Sequence, residues 1–254
     1  MLYRTIRRLT ILGLAAAAAL MIASVALAAP IEKMLESNFL FQGESSMCSA
    51  TLLSGDKNLV LTNAHCVEGN IVRVKREERQ SDGTVKEVTR EFWKDAKLYR
   101  YEYGYDGIVG RQELTVEIVA IDLVRDLALL GVKAETVKLP QGAPIPPDSY
   151  KLAVGDTIYV VGNPLGEENT LTAGIVSHLY RVHEWDPDRR ARYIQLDATA
   201  FGGSSGGAVY NEQGQLVGLL SAGYRGVPIH FAIPTRVIKD FLREQKWEEL
   251  WAKN

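Results

Sequence analysis

The sequence is poor in cysteine: Cys48 and Cys66 are the only two in 254 residues, so the chain can form at most one disulfide within itself. Histidine is nearly as scarce, with four in all. No grouping of His, Cys, Asp and Glu stands at metal-ligand spacing, so neither a metal nor an organic cofactor is implied. Charge of one sign is lacking too. The formal net charge is −2, and the rest of the chain is more acidic once Arg4, Arg7 and Arg8 of the leader are set aside. Such a surface gives no reason to expect nucleic acid or an anionic membrane as a partner. There is no internal repeat, and after Ala29 no apolar run is long enough to span a bilayer.

The one long apolar stretch runs from Ile11 to Ala29, behind the three arginines, and holds the small-x-small pattern Ala26-Leu27-Ala28. Residues 1–28 therefore read as a secretory signal peptide cut after Ala28, with 29–254 as the exported domain. The stretch approaches the ~20 residues that cross a bilayer, so an uncleaved anchor over residues 9–29 is the competing reading. Either way the remainder leaves the cytosol, to be periplasmic or secreted, and meets a membrane only if the leader is retained. An oxidising compartment makes Cys48 and Cys66 candidates for a structural bridge, worth about 3 kcal/mol by chain-entropy reasoning. Two buried free thiols are the alternative.

Short runs rich in Val, Ile, Leu, Thr and Tyr dominate the rest. They are Ser49–Leu53, Leu59–Thr62, Ile71–Lys75, Leu114–Ile121, Leu127–Val132, Thr157–Val161, Thr170–Ser177, Ala191–Leu196, Gly207–Tyr210 and Leu216–Leu220. Turns such as Ser54-Gly55-Asp56 and Asp82-Gly83 separate them, which predicts an all-β sandwich or barrels. The Pro-rich segment 137–150 reads as the crossing between two β lobes. From Thr235 the apolar residues fall at helical spacing, with Thr235 as N-cap and Phe241, Trp247 and Trp251 as a stripe packed on a barrel. Arg76–Glu113 fits the strand rhythm poorly and is rich in Tyr and Trp. It is expected to be a long hairpin folded against its own barrel, a partner or substrate surface being the alternative.

Serine-based hydrolysis needs a serine in a tight glycine turn, a base within its reach, an acid to fix the base's tautomer, and donors facing the developing oxyanion. Gly202-Gly203-Ser204-Ser205-Gly206-Gly207 offers the turn. With Ser205 as nucleophile, the N–H groups of Gly203 and Ser205 form the oxyanion hole; Ser204 is the rival, lacking Gly-Gly directly after it. His65 follows the apolar run Leu59–Thr62 and is the candidate base ahead of His178, His183 and His230. Asp126 abuts the apolar run Leu127–Leu130 and is the candidate acid, with Asp122 as competitor.

In the order His, Asp, Ser these segments resemble the trypsin-like serine proteases, the class that serves as the general template for this mechanism. The resemblance is close to the HtrA (DegP-like) branch. It rests on Thr62-Asn63-Ala64-His65, Asp126-Leu127-Ala128-Leu129-Leu130, Gly162-Asn163-Pro164-Leu165-Gly166, Ile194-Gln195-Leu196-Asp197-Ala198, Gly203-Ser204-Ser205-Gly206-Gly207 and Phe231-Ala232-Ile233-Pro234. It implies two six-stranded antiparallel β-barrels with a C-terminal helix. Peptide hydrolysis would pass through an acyl-enzyme on Ser205, with protein or peptide as substrate. It further implies that Thr199 lies at the base of the primary specificity pocket and that Ser221, Ala222 and Gly223 wall it. Neither segment offers a carboxylate, so small or medium uncharged side chains are expected there. No His stands just before Ser221, where acid-selective relatives have one. Asp197 is the nearby carboxylate that could upset this. HtrA relatives often assemble as trimers, which makes a homo-oligomer a partner state to consider.

The chain departs from the HtrA pattern in several ways. Too few residues follow Pro234 for a PDZ domain. Cys48 and Cys66 resemble the bridge beside the catalytic His of chymotrypsin-type enzymes. Ser204 stands where HtrA has Asn. A catalytically inactive binding module on the same fold is the rival reading; its signature would be a lost triad member, and none is lost. An esterase would want a G-x-S-x-G elbow on an α/β sheet, which the strand pattern and the triad order oppose.

Overall fold

The computed structural model describes residues 30–105, 107–133, 137–182 and 192–252. The expected leader with its cleavage pattern, His183, and Ala191 at the start of one expected strand lie outside these residues. Strand-forming residues alternate with turns throughout, and the described strands close into two barrels of six strands each. The first is built from β1 (Asn38–Gln42), β2 (Met47–Ser54), β3 (Leu59–Thr62), β6 (Ala96–Gly104), β7 (Gly107–Asp122) and β8 (Leu127–Val132). Around the barrel the order is β1-β2-β3-β8-β7-β6. The second uses β9 (Thr157–Gly162), β10 (Thr170–Arg181), β11 (Tyr193–Leu196), β12 (Ala208–Tyr210), β13 (Leu216–Gly223) and β14 (His230–Pro234). Its order is β10-β11-β14-β13-β12-β9, and every pairing in both barrels is antiparallel.

Why these runs are strands follows from their burial. Leu59–Thr62 is buried at every position and Leu127–Val132 at nearly every one, because one set of side chains fills the first barrel and the other faces the second. Val60, Leu130 and Leu98 belong to the barrel-one interior with Phe39 and Phe41. Leu61, Leu127 and Leu129 turn the other way, into a core shared with Val161, Tyr210 and Leu219 of the second barrel. Phe39 and Phe41 are fully buried, so β1 completes barrel one, while Met34 ahead of it packs into the shared core beside Tyr210.

The C-terminal helix spans Thr235–Glu244. Phe241 and Trp251 are buried in the shared core and Trp247 packs against it, as the apolar spacing anticipated. Thr235 does not cap it: Pro234 holds the N-cap position, and the Thr235 hydroxyl donates to the Leu216 carbonyl at 2.7 Å. Residues 137–150 carry no helix or strand and cross from one barrel to the other.

Arg76–Glu113 departs from the expected single hairpin. It divides between two. β4 (Ile71–Arg79) and β5 (Val85–Trp93) make a separate two-stranded sheet with nearly every side chain exposed or half-buried. β6 and β7 form the other hairpin, whose base is part of barrel one. Charged residues occupy both faces of β4–β5, so it has no apolar face to lay on the barrel. No helix among the described residues is long and apolar enough to cross a membrane.

Candidate active site

The site lies where loops of the two barrels meet. His65 sits in a single helical turn, Ala64–Val67, directly after the buried β3. Asp126 immediately precedes β8, at φ +58°, and is fully buried. That left-handed backbone is held from outside: Asn63 Nδ2 donates to the Asp126 carbonyl at 3.0 Å, and the His65 backbone N–H donates to Asp126 Oδ1 at 3.0 Å.

His65 Nδ1 lies 2.9 Å from Asp126 Oδ2 and 3.0 Å from Oδ1. A carboxylate only accepts, so the proton between them belongs to Nδ1 and the Nε2 lone pair is left for chemistry. The other lone pairs of Oδ2 are met by Ser221 Oγ, which donates at 2.6 Å. Burial opposes ionisation of Asp126, but the hydrogen bonds and charge of His65 together with the Ser221 hydroxyl outweigh it and hold the carboxyl below its ordinary value. The competing acid, Asp122, spends its Oδ1 on the Arg125 backbone N–H at 2.8 Å.

Ser205 stands in the loop between β11 and β12. Its Oγ donates to the Ser221 carbonyl at 3.3 Å, so Ser221 touches Asp126 through its hydroxyl and Ser205 through its backbone. Ser205 Oγ and the His65 ring make no direct hydrogen bond among the described residues. Ser204 is buried, and its Oγ accepts the Phe201 N–H at 3.4 Å, so it serves its own turn.

The loop is fastened to barrel one. Ser49 N–H donates to the Ser205 carbonyl at 2.7 Å, Ser49 Oγ to the Gly203 carbonyl at 2.8 Å, and Thr51 Oγ1 to the Gly206 carbonyl at 3.0 Å. The approach is too close for a side chain at Gly206: a Cβ there would lie 2.0 Å from the Ser49 carbonyl oxygen, and φ is +83°. Within the loop the N–H groups of Ser204, Gly206 and Gly207 donate to Phe201, Leu220 and Ser204 carbonyls. Those of Gly203 and Ser205 make no such bond among the described residues, the pattern that two oxyanion donors require.

Cys48 and Cys66 are joined, their Cα atoms 6.1 Å apart. The bridge ties β2 to the helical turn that carries His65. Cys48, His65 and Cys66 are also a group with ligand atoms close enough for a metal, but there both sulfurs are spent on each other.

Beside Ser205 opens a cavity of about 830 Å³, walled by Thr199, Ala222 and Gly223 among others. Ser221 is buried behind it, facing Asp126. Asp197 is directed elsewhere: its Oδ1 accepts the Ile175 N–H at 2.7 Å, and among the described residues no Asp or Glu lines the cavity. Leu165 and His230 are among the wall residues that were not anticipated. Leu165, at φ +57° and 76 % exposed, is fixed by its N–H donating to the Gly202 carbonyl at 2.7 Å. His230 enters from β14. The motif Gly162-Asn163-Pro164-Leu165-Gly166 owes its place to Asn163, whose amide and backbone N–H donate to Phe39 and Ser49 across the barrel junction.

Residues 48–219 match a family model described as a trypsin-like peptidase domain. Among curated proteins, the periplasmic serine endoprotease DegP of Escherichia coli K12 is 31 % identical over 197 residues, covering 76 % of this chain and 34 % of DegP. The periplasmic pH-dependent serine endoprotease DegQ of the same strain is 37 % identical over 137 residues, covering 52 % of this chain and 29 % of DegQ. The chain thus spans about a third of the length of these relatives. Among solved structures, one titled "HtrA-type protease AlgW with tripeptide" aligns with a TM-score of 0.65 at 23 % identity, over 88 % of this chain and 64 % of that one. That of Deg5 aligns with a TM-score of 0.62 at 23 % identity, over 86 % and 92 %. These two likenesses speak for the fold.

Proposed function

The chain belongs to the trypsin-like peptidase family, with HtrA/DegP relatives, and from that premise we propose that it is an exported serine endopeptidase acting through Ser205, His65 and Asp126. The observation that carries the reading is the buried Asp126 carboxylate, bonded at once to His65 Nδ1 and to Ser221 Oγ, with Ser205 Oγ on the carbonyl of the same Ser221.

Asp126 keeps the proton of His65 on Nδ1, so Nε2 is the base. The Ser205 hydroxyl leaves the Ser221 carbonyl and turns to Nε2; such bonds often form only when substrate is bound. Ser205 Oγ attacks the scissile carbonyl carbon as its proton passes to Nε2. The carbonyl oxygen becomes an oxyanion facing the N–H groups of Gly203 and Ser205. The C–N bond then breaks, and His65 gives its proton to the leaving amine. Water, deprotonated by Nε2, hydrolyses the ester and returns the proton to Ser205. Ser221, Ala222 and Gly223 offer a strand edge to the peptide backbone, and the cavity over Thr199 takes the side chain before the cut bond.

Export rests on the leader read in residues 1–28, on the disulfide, which suits an oxidising compartment, and on the periplasmic relatives. The competing reading, a binding module with an idle triad, draws on the Ser205 hydroxyl being bonded to Ser221 rather than to His65. Labelling with a serine-reactive fluorophosphonate separates the two. The adduct is expected on Ser205, retained in Ser204→Ala and absent in Ser205→Ala. An unlabelled wild-type protein would overturn the enzyme reading.

A further inference from the structure

His230 is a buried, ionisable residue of the cavity wall that neither the mechanism nor the fold has used. It is 6 % exposed, lies on β14 opposite Gly223 of β13, and borders the same cavity as Ser205 and Thr199. Its Nε2 accepts the Ala200 backbone N–H at 3.2 Å. A ring nitrogen that accepts carries no proton, so a neutral imidazole here must hold its hydrogen on Nδ1. Burial lowers the pKa of His230 and keeps it neutral. Nδ1 makes no hydrogen bond among the described residues.

Nδ1 is bare because its strand neighbour has no side chain. A Cβ on Gly223 would come within 2.2 Å of Nδ1, so the imidazole edge lies against the bare backbone of Gly223, and both residues border the cavity. The pocket beside the nucleophile thus holds a pre-oriented N–H donor with no internal acceptor. A purely apolar side chain would bury that donor unpaired, which is the costly outcome. Among the described residues the cavity wall carries no carboxylate to satisfy it, and its fixed charge there is Arg225.

We propose that His230 is a specificity-determining residue: its Nδ1–H donates to a terminal oxygen of the substrate side chain preceding the cut bond, so the pocket selects carboxamide or carboxylate side chains (Gln, Asn, Glu or Asp) over aliphatic ones. This rests on the protease reading; it narrows the expectation of a small or medium uncharged side chain to one with an acceptor oxygen, and departs from it where the acceptor is a carboxylate. It does not need a His just before Ser221, because the imidazole arrives from the neighbouring strand. Arg225 decides between the two acceptor classes: it favours the carboxylate where its charge reaches the pocket.

The test uses the chain without its leader, with active sites counted by fluorophosphonate labelling. Peptides identical except for Val, Leu, Lys, Asn, Gln, Asp or Glu before the cut bond are compared by kcat/KM. At least one acceptor side chain should exceed Val and Leu by about tenfold or more, the worth of one hydrogen bond gained and one donor left unburied. His230→Phe should erase that ratio. His230→Gln, whose amide can both accept from Ala200 and donate to substrate, should keep part of it and serves if the Phe variant fails to fold. Arg225→Ala should lower a Glu or Asp preference and leave a Gln or Asn preference unchanged. A labelled wild-type enzyme that cleaves after Val or Leu at least as fast as after every acceptor side chain overturns the proposal and leaves the protease reading standing. So does an unchanged ratio in folded His230→Phe. Absence of labelling overturns the protease reading itself.

Discussion

Ser221 shows how much one residue carries here. Its hydroxyl holds Asp126 at 2.6 Å, and its carbonyl holds Ser205 Oγ at 3.3 Å. Family resemblance set it in the pocket wall with Ala222 and Gly223; the structure buries it behind that wall, and its grip on Asp126 was not legible. That contact joins residues 95 positions apart, and nothing in either local sequence marks it. The same holds for His230, which sequence reading ranks as a weaker base; only the β13–β14 register turns it into a pocket wall. Thr235 is the opposite case, a good local cap that tertiary structure redirects to Leu216. Ser221→Ala should leave Asp126 bonded to His65 but without its second side-chain donor. A charge-assisted bond of this kind is worth about 1.5–3 kcal/mol, so kcat/KM should fall roughly ten- to hundredfold while circular dichroism stays unchanged. Ser205→Ala should cost about 10⁶-fold in turnover with the fold intact. An active Ser205→Ala protein alongside a dead Ser204→Ala protein would reverse the assignment.

Strands that bury both faces were legible because nothing interrupts their apolar run. Leu59–Thr62 and Leu127–Val132 are read from sequence with the bounds the structure gives them. β5 was invisible for the converse reason: Val85–Trp93 is almost wholly exposed, so no period-2 pattern separates an inner from an outer face. β1 is a short run closing barrel one, and its apolar core Phe39-Leu40-Phe41 reads equally well as a packing segment. The β4–β5 sheet should therefore be dispensable for folding. Replacing residues 75–89 with a short turn should leave the melting temperature within a few degrees, since the excised strands bury little and shortening a loop costs little entropy. Asn70 would still clamp the base, donating to the Lys94 and Asp95 carbonyls. The disulfide is the opposite kind of element. Reducing it, or replacing both cysteines with Ala, removes a link between β2 and the His65 turn. By loop entropy the loss is about 3 kcal/mol, or roughly 6–12 °C of melting temperature in a domain of this size. Activity should decline alongside; equal melting curves with and without reductant would show that the bridge adds nothing to barrel one.

At the scale of the whole molecule, the two barrels meet across an apolar core on one side and a polar seam on the other. The core holds Leu61 and Leu129 from the first barrel, Leu219 from the second, and Phe241 from the helix. The seam runs through Ser49, Thr51, Asn163 and Asp126, each bonded across the junction. Exposed ion pairs that also bridge the halves, such as Arg125–Glu244 and Lys57–Glu249, contribute little on the surface. Asp126 is the seam's buried charge, and its pKa ties the packing of the barrels to pH. Burial works against its ionised form, but His65 and Ser221 hold the folded-state pKa below the unfolded one, which lies near ~3.9. The folded state therefore binds this proton less readily than the unfolded chain. The ionised carboxylate contributes stability that is fully present above about pH 4, and that is lost as pH falls through the depressed folded value. Asp126→Asn removes the titration while keeping a side chain of the same shape. The melting temperature of wild type should exceed that of Asp126→Asn at pH 7, and the gap should narrow steadily below about pH 4. A gap that stays constant from pH 7 to pH 3 would mean that the carboxylate serves His65 alone and adds no stability to the junction.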